Sequence, residues 1–421
     1  MNMQNSTTPE TKTCPFKLAE EFQPFSNPQL EDPYSFYQRA RSEEPIFYSP
    51  LFNAYVITRY DDVLTVLKDP VKFSSATSLQ TVQNFTPEVI EVLRQGLPFV
   101  SLISSDGELH KRLRDPLLKE FAPERLTRME DSIRAIGNRL VDDFVNDGHV
   151  EIMSKFAHNL ALEVILNMYN VPLDRMAEIK QWANNTTALF SSALTPERQI
   201  ECARTFPALQ HYAASLVEER RIAPGNDFIS KMLNSDLTTN ELALILCEML
   251  IAGHKTSGNL IGNALKLLLE RPQLWQALRD DPSLIPATIE EVLRYDTPAP
   301  SMVRTTTQEV SVGGVTLPKD SRILLVYSSA NRDETQYPDG ENFNIERFKH
   351  TAANHLAFGH GMHYCTGANL ARREGRIALE ILSQRLPNLR LRPNQEFIHF
   401  PAMGNRGYTQ LELEWDIPQK G

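Results

Sequence analysis

The residues with the clearest chemical potential lie in Ala357-Phe358-Gly359-His360-Gly361-Met362-His363-Tyr364-Cys365-Thr366-Gly367-Ala368, followed by Asn369-Leu370-Ala371-Arg372. The stretch reads as a glycine-punctuated loop that delivers one cysteine to the start of a helix. Gly359 and Gly361 permit backbone angles and close approaches that a Cβ forbids. A cysteine at a helix N-terminus faces unpaired N–H groups and the positive end of the dipole, and both favour the thiolate. Such a thiolate is a strong metal ligand, and a single cysteine is one way of holding haem iron. Two other readings stand beside this one. Cys365 could be a core cysteine, or it could share a zinc site with His355, His360 and His363. Zinc is disfavoured because there is no Cys-x-x-Cys pair and the glycines break the usual ligand spacing.

Three further groups have suggestive spacing. His110 and Arg114 stand at i and i+4, on one helical face, and suit a bound anion. Glu291 and Arg294 stand at i and i+3 and can pair. Ala252-Gly253-His254-Lys255-Thr256-Ser257 lies in the middle of a long helical pattern. Glycine there costs up to about 1 kcal/mol relative to alanine. Room for a small ligand beside a widened turn would justify it, and so would close packing. Thr256 can bond back to a carbonyl or offer its hydroxyl to a ligand.

Phe-Gly-x-Gly-x-His-x-Cys-x-Gly, with Ala and Arg following, resembles the haem-binding signature of the cytochromes P-450, of the soluble bacterial kind. Other segments resemble further motifs of that family, in order, from about residue 30 to the C-terminus. The resemblance implies a mainly α fold with small β-sheets, a triangular helical prism. Haem b (iron protoporphyrin IX) would lie between the long central helix and the Cys-loop helix. It makes Cys365 the metal ligand, with Phe358, Gly359 and Gly367 shaping the loop. His110 and Arg114 would bind one propionate, and Arg304, assisted by His363, the other. Glu291, Arg294 and Arg347 would form a structural frame behind the haem. Ala299, Ser301, Met302 and Met403 would face substrate.

Ala252, Gly253 and Thr256 match the family's Ala-Gly-x-Asp/Glu-Thr motif, which handles dioxygen and its protons. Lys255 stands where the acid belongs. A lysine cannot replace a carboxylate relay at neutral pH unless its pKa is strongly lowered. Lys255 is therefore a salt-bridged structural residue, a proton donor itself, or the mark of a modified reaction such as peroxide use.

The implied activity is a monooxygenase that inserts one atom of O2 into a small or medium apolar organic substrate, by hydroxylation or epoxidation. Electrons would come from an external ferredoxin or flavodoxin with its reductase. The alternatives are a peroxygenase driven by hydrogen peroxide and a non-catalytic haem-based binding or sensor protein. Lys111, Arg112, Arg372, Arg373 and Arg376 form a local basic excess that would dock an acidic electron donor. Otherwise they are an ordinary solvated face.

The elements that must position these residues follow from periodicity and punctuation. Helices are expected from Pro33 to Ser42, Tyr60 to Leu67, Pro87 to Arg94 within a long loop over 73–104, and from Asp106-Gly107 to Phe121. Four longer ones follow over 124–146, 154–169, 173–190 and 196–221, with a break at Ser192 to Pro196. The oxygen helix begins at Leu237 to Glu241 and runs to Glu270. A short helix carries Glu290 to Tyr295, and the cysteine helix spans about 366–386. Strands are expected in a hairpin over 46–58, around Pro298 to Arg304, after Leu389, and in a second hairpin. That one joins Val310–Val315 to Arg322–Tyr327 through Gly313-Gly314.

The chain has 421 residues and no linker-like tract, so residues 21–421 read as one domain behind a flexible N-terminal tail, 1–20. A formal net charge of -10 argues against nucleic acid as a partner. Four scattered cysteines, Cys14, Cys202, Cys247 and Cys365, fit a reducing cytoplasm. No signal peptide or membrane span is expected: the best apolar stretch, Leu242 to Ala252, is broken by Glu248. The length is expected to leave no room for a fused reductase.

Overall fold

The computed structural model describes residues 17–79, 84–192, 194–351 and 353–417. Most of the expected tail, with Cys14, lies outside the described residues, as does Ala193 in the expected break. Packing begins inside the tail's expected boundary, because Leu18 is fully buried beside Phe22, Phe36 and Phe47.

Fourteen α-helices run through the described residues. The first four are α1 (Tyr34–Glu43), α2 (Tyr60–Lys68), α3 (Pro87–Leu93) and α4 (Gly107–Glu120). Then come α5 (Pro123–Asp142), α6 (His158–Met168), α7 (Met176–Ser191), α8 (Pro196–Ile222) and α9 (Phe228–Met232). The longest is α10 (Thr239–Leu269), followed by α11 (Pro272–Asp280), α12 (Ile285–Tyr295), α13 (Tyr327–Ala330) and α14 (Ala368–Arg385). Local chemistry sets their starts. Thr195 caps α8, its hydroxyl accepting the Arg198 N–H, and Pro196 occupies the first turn. The chain therefore breaks between α7 and α8.

α10 opens with a full capping box: Thr238 and Glu241 satisfy each other's backbone N–H groups. Its 31 residues span about 46 Å. It packs against α6, α8 and α14. Three glycines bring it close to α6 and the π-helical turn Met153–Ala157 that precedes α6. A Cβ on Gly253 would meet Ile165 Cδ1 at 2.7 Å, and one on Gly262 would meet Met153 Sδ at 2.4 Å. One on Gly258 would meet the His158 backbone at 3.1 Å. Close packing against Ile165 therefore gives the half-buried glycine at 253 one reason of its own.

Strands β1 (Ile46–Ser49), β2 (Ala54–Ile57), β3 (Phe73–Ser74), β4 (His149–Glu151) and β5 (Ser301–Thr306) are followed by five more. These are β6 (Val310–Val312), β7 (Val315–Leu317), β8 (Arg322–Val326), β9 (Arg390–Leu391) and β10 (Glu412–Glu414). The largest sheet has the order β1-β2-β8-β5-β3. The second expected hairpin is corrected. The turn at Gly313-Gly314 joins β6 to β7, while β8 lies in the main sheet, parallel to β2 and antiparallel to β5. β8 is almost wholly buried, and such a strand finds its partners through the core rather than through the nearest turn.

Candidate active site

The cysteine loop is held by its own backbone. Gly359 and Gly361 both adopt φ +70°, the left-handed region. Gly361 also passes the Leu67 carbonyl so closely that a Cβ would stand 2.7 Å from it. The Cys365 N–H donates to the Phe358 carbonyl at 2.9 Å, closing the loop two residues before the N-cap of α14. Burial pushes the Cys365 thiol up. The Gly367 and Ala368 N–H groups and the Arg114 and Arg372 charges oppose this. Cys365 is a free, exposed cysteine although protein surrounds it closely. The Arg372 guanidinium covers the Phe358 ring at 4.6 Å.

Beside this loop stand two histidines and two arginines. The His110 and His363 rings lie 4.1 Å apart, and each has a buried Nε2 with no hydrogen-bond partner. His363 Nε2 is 3.6 Å from Asp106 Oδ1, beyond hydrogen-bond reach. Burial lowers the pKa of both imidazoles, and nearby Arg304 lowers both further. Arg304 donates to Ser78 Oγ and the Val303 carbonyl, and Arg114 to the Tyr364 carbonyl. Neither arginine has a carboxylate partner among the described residues. Four cationic or donor side chains thus converge with Asp106, beside His363, as the nearest acid.

The structural frame assembles in full. Arg294 makes a bidentate pair with Glu291, at 2.8 and 2.7 Å, and both side chains are wholly buried. Arg347 Nε donates to Glu291 Oε2 at 3.0 Å. Arg294 also donates to the carbonyls of Asn331, Gly340 and Asn342, so it ties α12 to the irregular segment that carries Arg347.

In the centre of α10, residues 248–256 carry an accessible face, whereas 241–247 and 257–265 are buried. Ala252 is exposed in mid-helix. Thr256 Oγ1 donates to the Ala252 carbonyl at 2.7 Å, and the helix continues unbroken through both. Lys255 has no carboxylate partner among the described residues, so the salt-bridged reading fails. Its Nζ lies 4.3 Å from the Phe400 ring centre, and burial lowers its pKa to about 8.

The expected substrate residues do not form one open wall. Ser301 Oγ donates to the Met403 carbonyl at 2.7 Å, and both residues are buried. Met403 packs with the N-terminal aromatic cluster. Met302 turns the other way on β5 and packs with a second cluster, while Ala299 is half-buried. On the expected basic docking face Lys111 is exposed, whereas the four arginines are ion-paired. Arg372 pairs with Glu290, Arg373 with Glu130, Arg376 with Glu130 and Glu380, and Arg112 with Glu241. Each of these arginines answers a particular acid from a neighbouring helix, a match that one-dimensional charge counting does not register.

Of three carboxylates near the site, two were not singled out from sequence, and one was noted only as a break in an apolar stretch. Burial alone raises the Glu290 carboxyl, but His355 and Arg372 hold it down at about 2. Burial pushes Glu374 up to about 8 beside the Ser257 hydroxyl. Glu374 falls on the apolar stripe Leu370, Ile377, Ala378 and Ile381, and an acid in such a stripe was a legible signal. Glu248 is the third, the single charge in the apolar stretch of α10. His355 is committed to Glu290, and the described residues contain no cluster arranged to hold a bare metal ion.

Two buried imidazole nitrogens without partners and an arginine without an acid call for a dianionic group beside a free, exposed cysteine. A haem, with its paired propionates and its need for an axial ligand, meets both requirements. The fold and site are those of a haem–thiolate protein. The chain belongs to the cytochrome P-450 family, whose model matches residues 47–396. Members are oxygen-incorporating oxidoreductases that bind haem b through a cysteine.

The chain is 33% identical over 380 residues to cytochrome P-450 107B1 of Saccharopolyspora erythraea, covering 87% of this chain and 91% of that one. It is 34% identical over 294 residues to the 6-deoxyerythronolide B hydroxylase of the same organism, covering 68% and 71%. The haem domain of a Tepidiphilus thermophilus P-450 superposes with a TM-score of 0.90 at 35% identity, covering 96% of this chain and 98% of that domain. An intact type IV self-sufficient P-450 monooxygenase superposes at 0.91 with 32% identity; this chain spans 54% of its length. No helix among the described residues is long and apolar enough to cross a membrane.

Proposed function

We propose that this chain hydroxylates or epoxidises a small or medium-sized, largely apolar organic molecule, with electrons from an external ferredoxin or flavodoxin and its reductase. The observation that carries the reading is the pair of unpartnered His110 and His363 nitrogens beside the free, exposed Cys365. The relative named as a hydroxylase supports the reaction type.

When bound, the haem supplies the redox chemistry that activates dioxygen. Cys365 would hold its iron, and the Gly367 and Ala368 N–H groups would steady the thiolate charge. His110 and Arg114 would hold one propionate, and Arg304 and His363 the other. Thr256 donates its proton to the Ala252 carbonyl, which leaves the Oγ1 lone pairs to accept one from water. Lys255 Nζ, near pKa 8, is a second proton source. Its replacement of the usual acid favours one alternative, use of hydrogen peroxide in place of O2 and electrons.

The test is the carbon monoxide spectrum of reduced wild type and Cys365→Ser, followed by turnover with a surrogate reductase pair, with peroxide alone, and with neither. A red-shifted Soret band lost in the variant, with product only from the reductase pair, is the expected result. Product from peroxide alone selects the peroxygenase. Haem without the band overturns the thiolate assignment.

A further inference from the structure

We propose that Glu248 anchors the substrate and selects molecules that carry one cationic nitrogen on an otherwise apolar frame. The inference rests on the proposed reading that the centre of α10 faces the substrate.

Glu248 stands at the start of the accessible face, one helical turn before Ala252 and two before Thr256. Its side chain uses one oxygen within the protein: Oε2 accepts the Leu102 N–H at 3.0 Å, with the Ser101 hydroxyl and Ile103 backbone alongside. Oε1 is buried and has no hydrogen-bond partner. No arginine, lysine or histidine among the described residues pairs with this carboxylate, and burial pushes it up to about 7.

Pinning the loop over 101–103 needs only the acceptor that Oε2 provides, and a glutamine would supply it. The charge and the second oxygen are left over. A buried carboxylate with one side unsatisfied is costly to the fold. A cation brought in by a ligand offsets that cost, because attraction between charges is strong where water is excluded. Next to Glu248 on this face Met249, Ile251 and Ala252 are apolar, and the polar Lys255 and Thr256 lie two turns further on. The complementary ligand therefore presents hydrocarbon to most of the face and an ammonium N–H to Oε1.

The experiment compares a dimethylamino-alkylbenzene with the hydrocarbon in which CH replaces the nitrogen. Binding to the haem-loaded protein is read by calorimetry and by the Soret shift. In wild type the amine is expected to bind about tenfold tighter or better, a difference of about 1.4 kcal/mol. In Glu248→Gln, which keeps an acceptor for the Leu102 N–H, the two ligands should bind alike, with hydrocarbon affinity within about twofold of wild type. Equal binding of the two by wild type overturns the inference without any variant. So does a preference that survives Glu248→Gln, or one accompanied by the Soret signature of nitrogen on iron. The carbon monoxide band of the same preparation separates the two readings. An intact band without amine preference defeats only the role of Glu248, whereas a missing band defeats the haem–thiolate reading.

Discussion

Lys255 holds its ammonium 4.3 Å from the centre of the Phe400 ring, in the position where the family's motif has an acid. Burial lowers its pKa from 10.5 to about 8. Below pH 8 the folded protein must carry a charge that the unfolded chain solvates better. From pH 8 to 10.5 the unfolded chain binds more protons, so stability rises with pH across that window. Lys255→Met should therefore stabilise the protein below pH 8, by up to about 3 kcal/mol before the offsetting pull of the ring. The gain should fade towards pH 10.5. Thermal melts across pH measure it, and a gain that stays constant into the alkaline range would contradict the linkage.

The proton route makes a kinetic prediction. Thr256→Ala removes the hydroxyl at the Ala252 carbonyl, and product formed per NAD(P)H consumed should fall about tenfold or more. Lys255→Glu restores the family's acid and should raise that ratio if water and Thr256 carry the protons. It should lower the ratio if Lys255 is the donor. Unchanged coupling in both variants would remove this segment from the mechanism.

Gly253→Ala should destabilise by about 1 to 3 kcal/mol through overpacking against Ile165, despite alanine's better helix propensity. Ile165→Val removes the clashing Cδ1 atom. The double variant should recover most of the loss, which a thermodynamic cycle measures. No recovery would return Gly253 to a ligand-facing role.

Glu291→Ala leaves Arg294 buried without its counter-charge and Arg347 with Asp339 as its remaining acid. A loss of about 3 to 5 kcal/mol is expected, with poor haem retention. Arg347→Ala leaves the Glu291–Arg294 pair whole and should be milder. Denaturant midpoints and haem content per chain rank the two, and the reverse order would refute the frame as drawn.

Order and type of element were largely legible, because caps, prolines and apolar periodicity act over a few residues. The break before Pro196 and the capping box at Thr238 and Glu241 needed no distant contact. The cysteine loop was legible for the same reason: its two left-handed glycines and its closing hydrogen bond lie within one short stretch. The Glu291–Arg294 pair was legible as a spacing, but its complete burial was not. That depends on carbonyls near residues 331–342 arriving from elsewhere in the chain.

What sequence alone determined, then, was much of what near neighbours in the chain decide, such as most helix starts, the thiolate loop, and the His110 and Arg114 face, though not α9, α11 or the short β6–β7 hairpin. The tertiary structure decided the rest by bringing distant groups into contact. It packed Gly253 against Ile165, and bound β8 beside β2 instead of beside β6. It neutralised Arg112, Arg372, Arg373 and Arg376 with acids of other helices, and left the Glu248 Oε1 unpaired. Each of these outcomes depends on which remote side chain or backbone group occupies the adjoining space, and local spacing does not encode that.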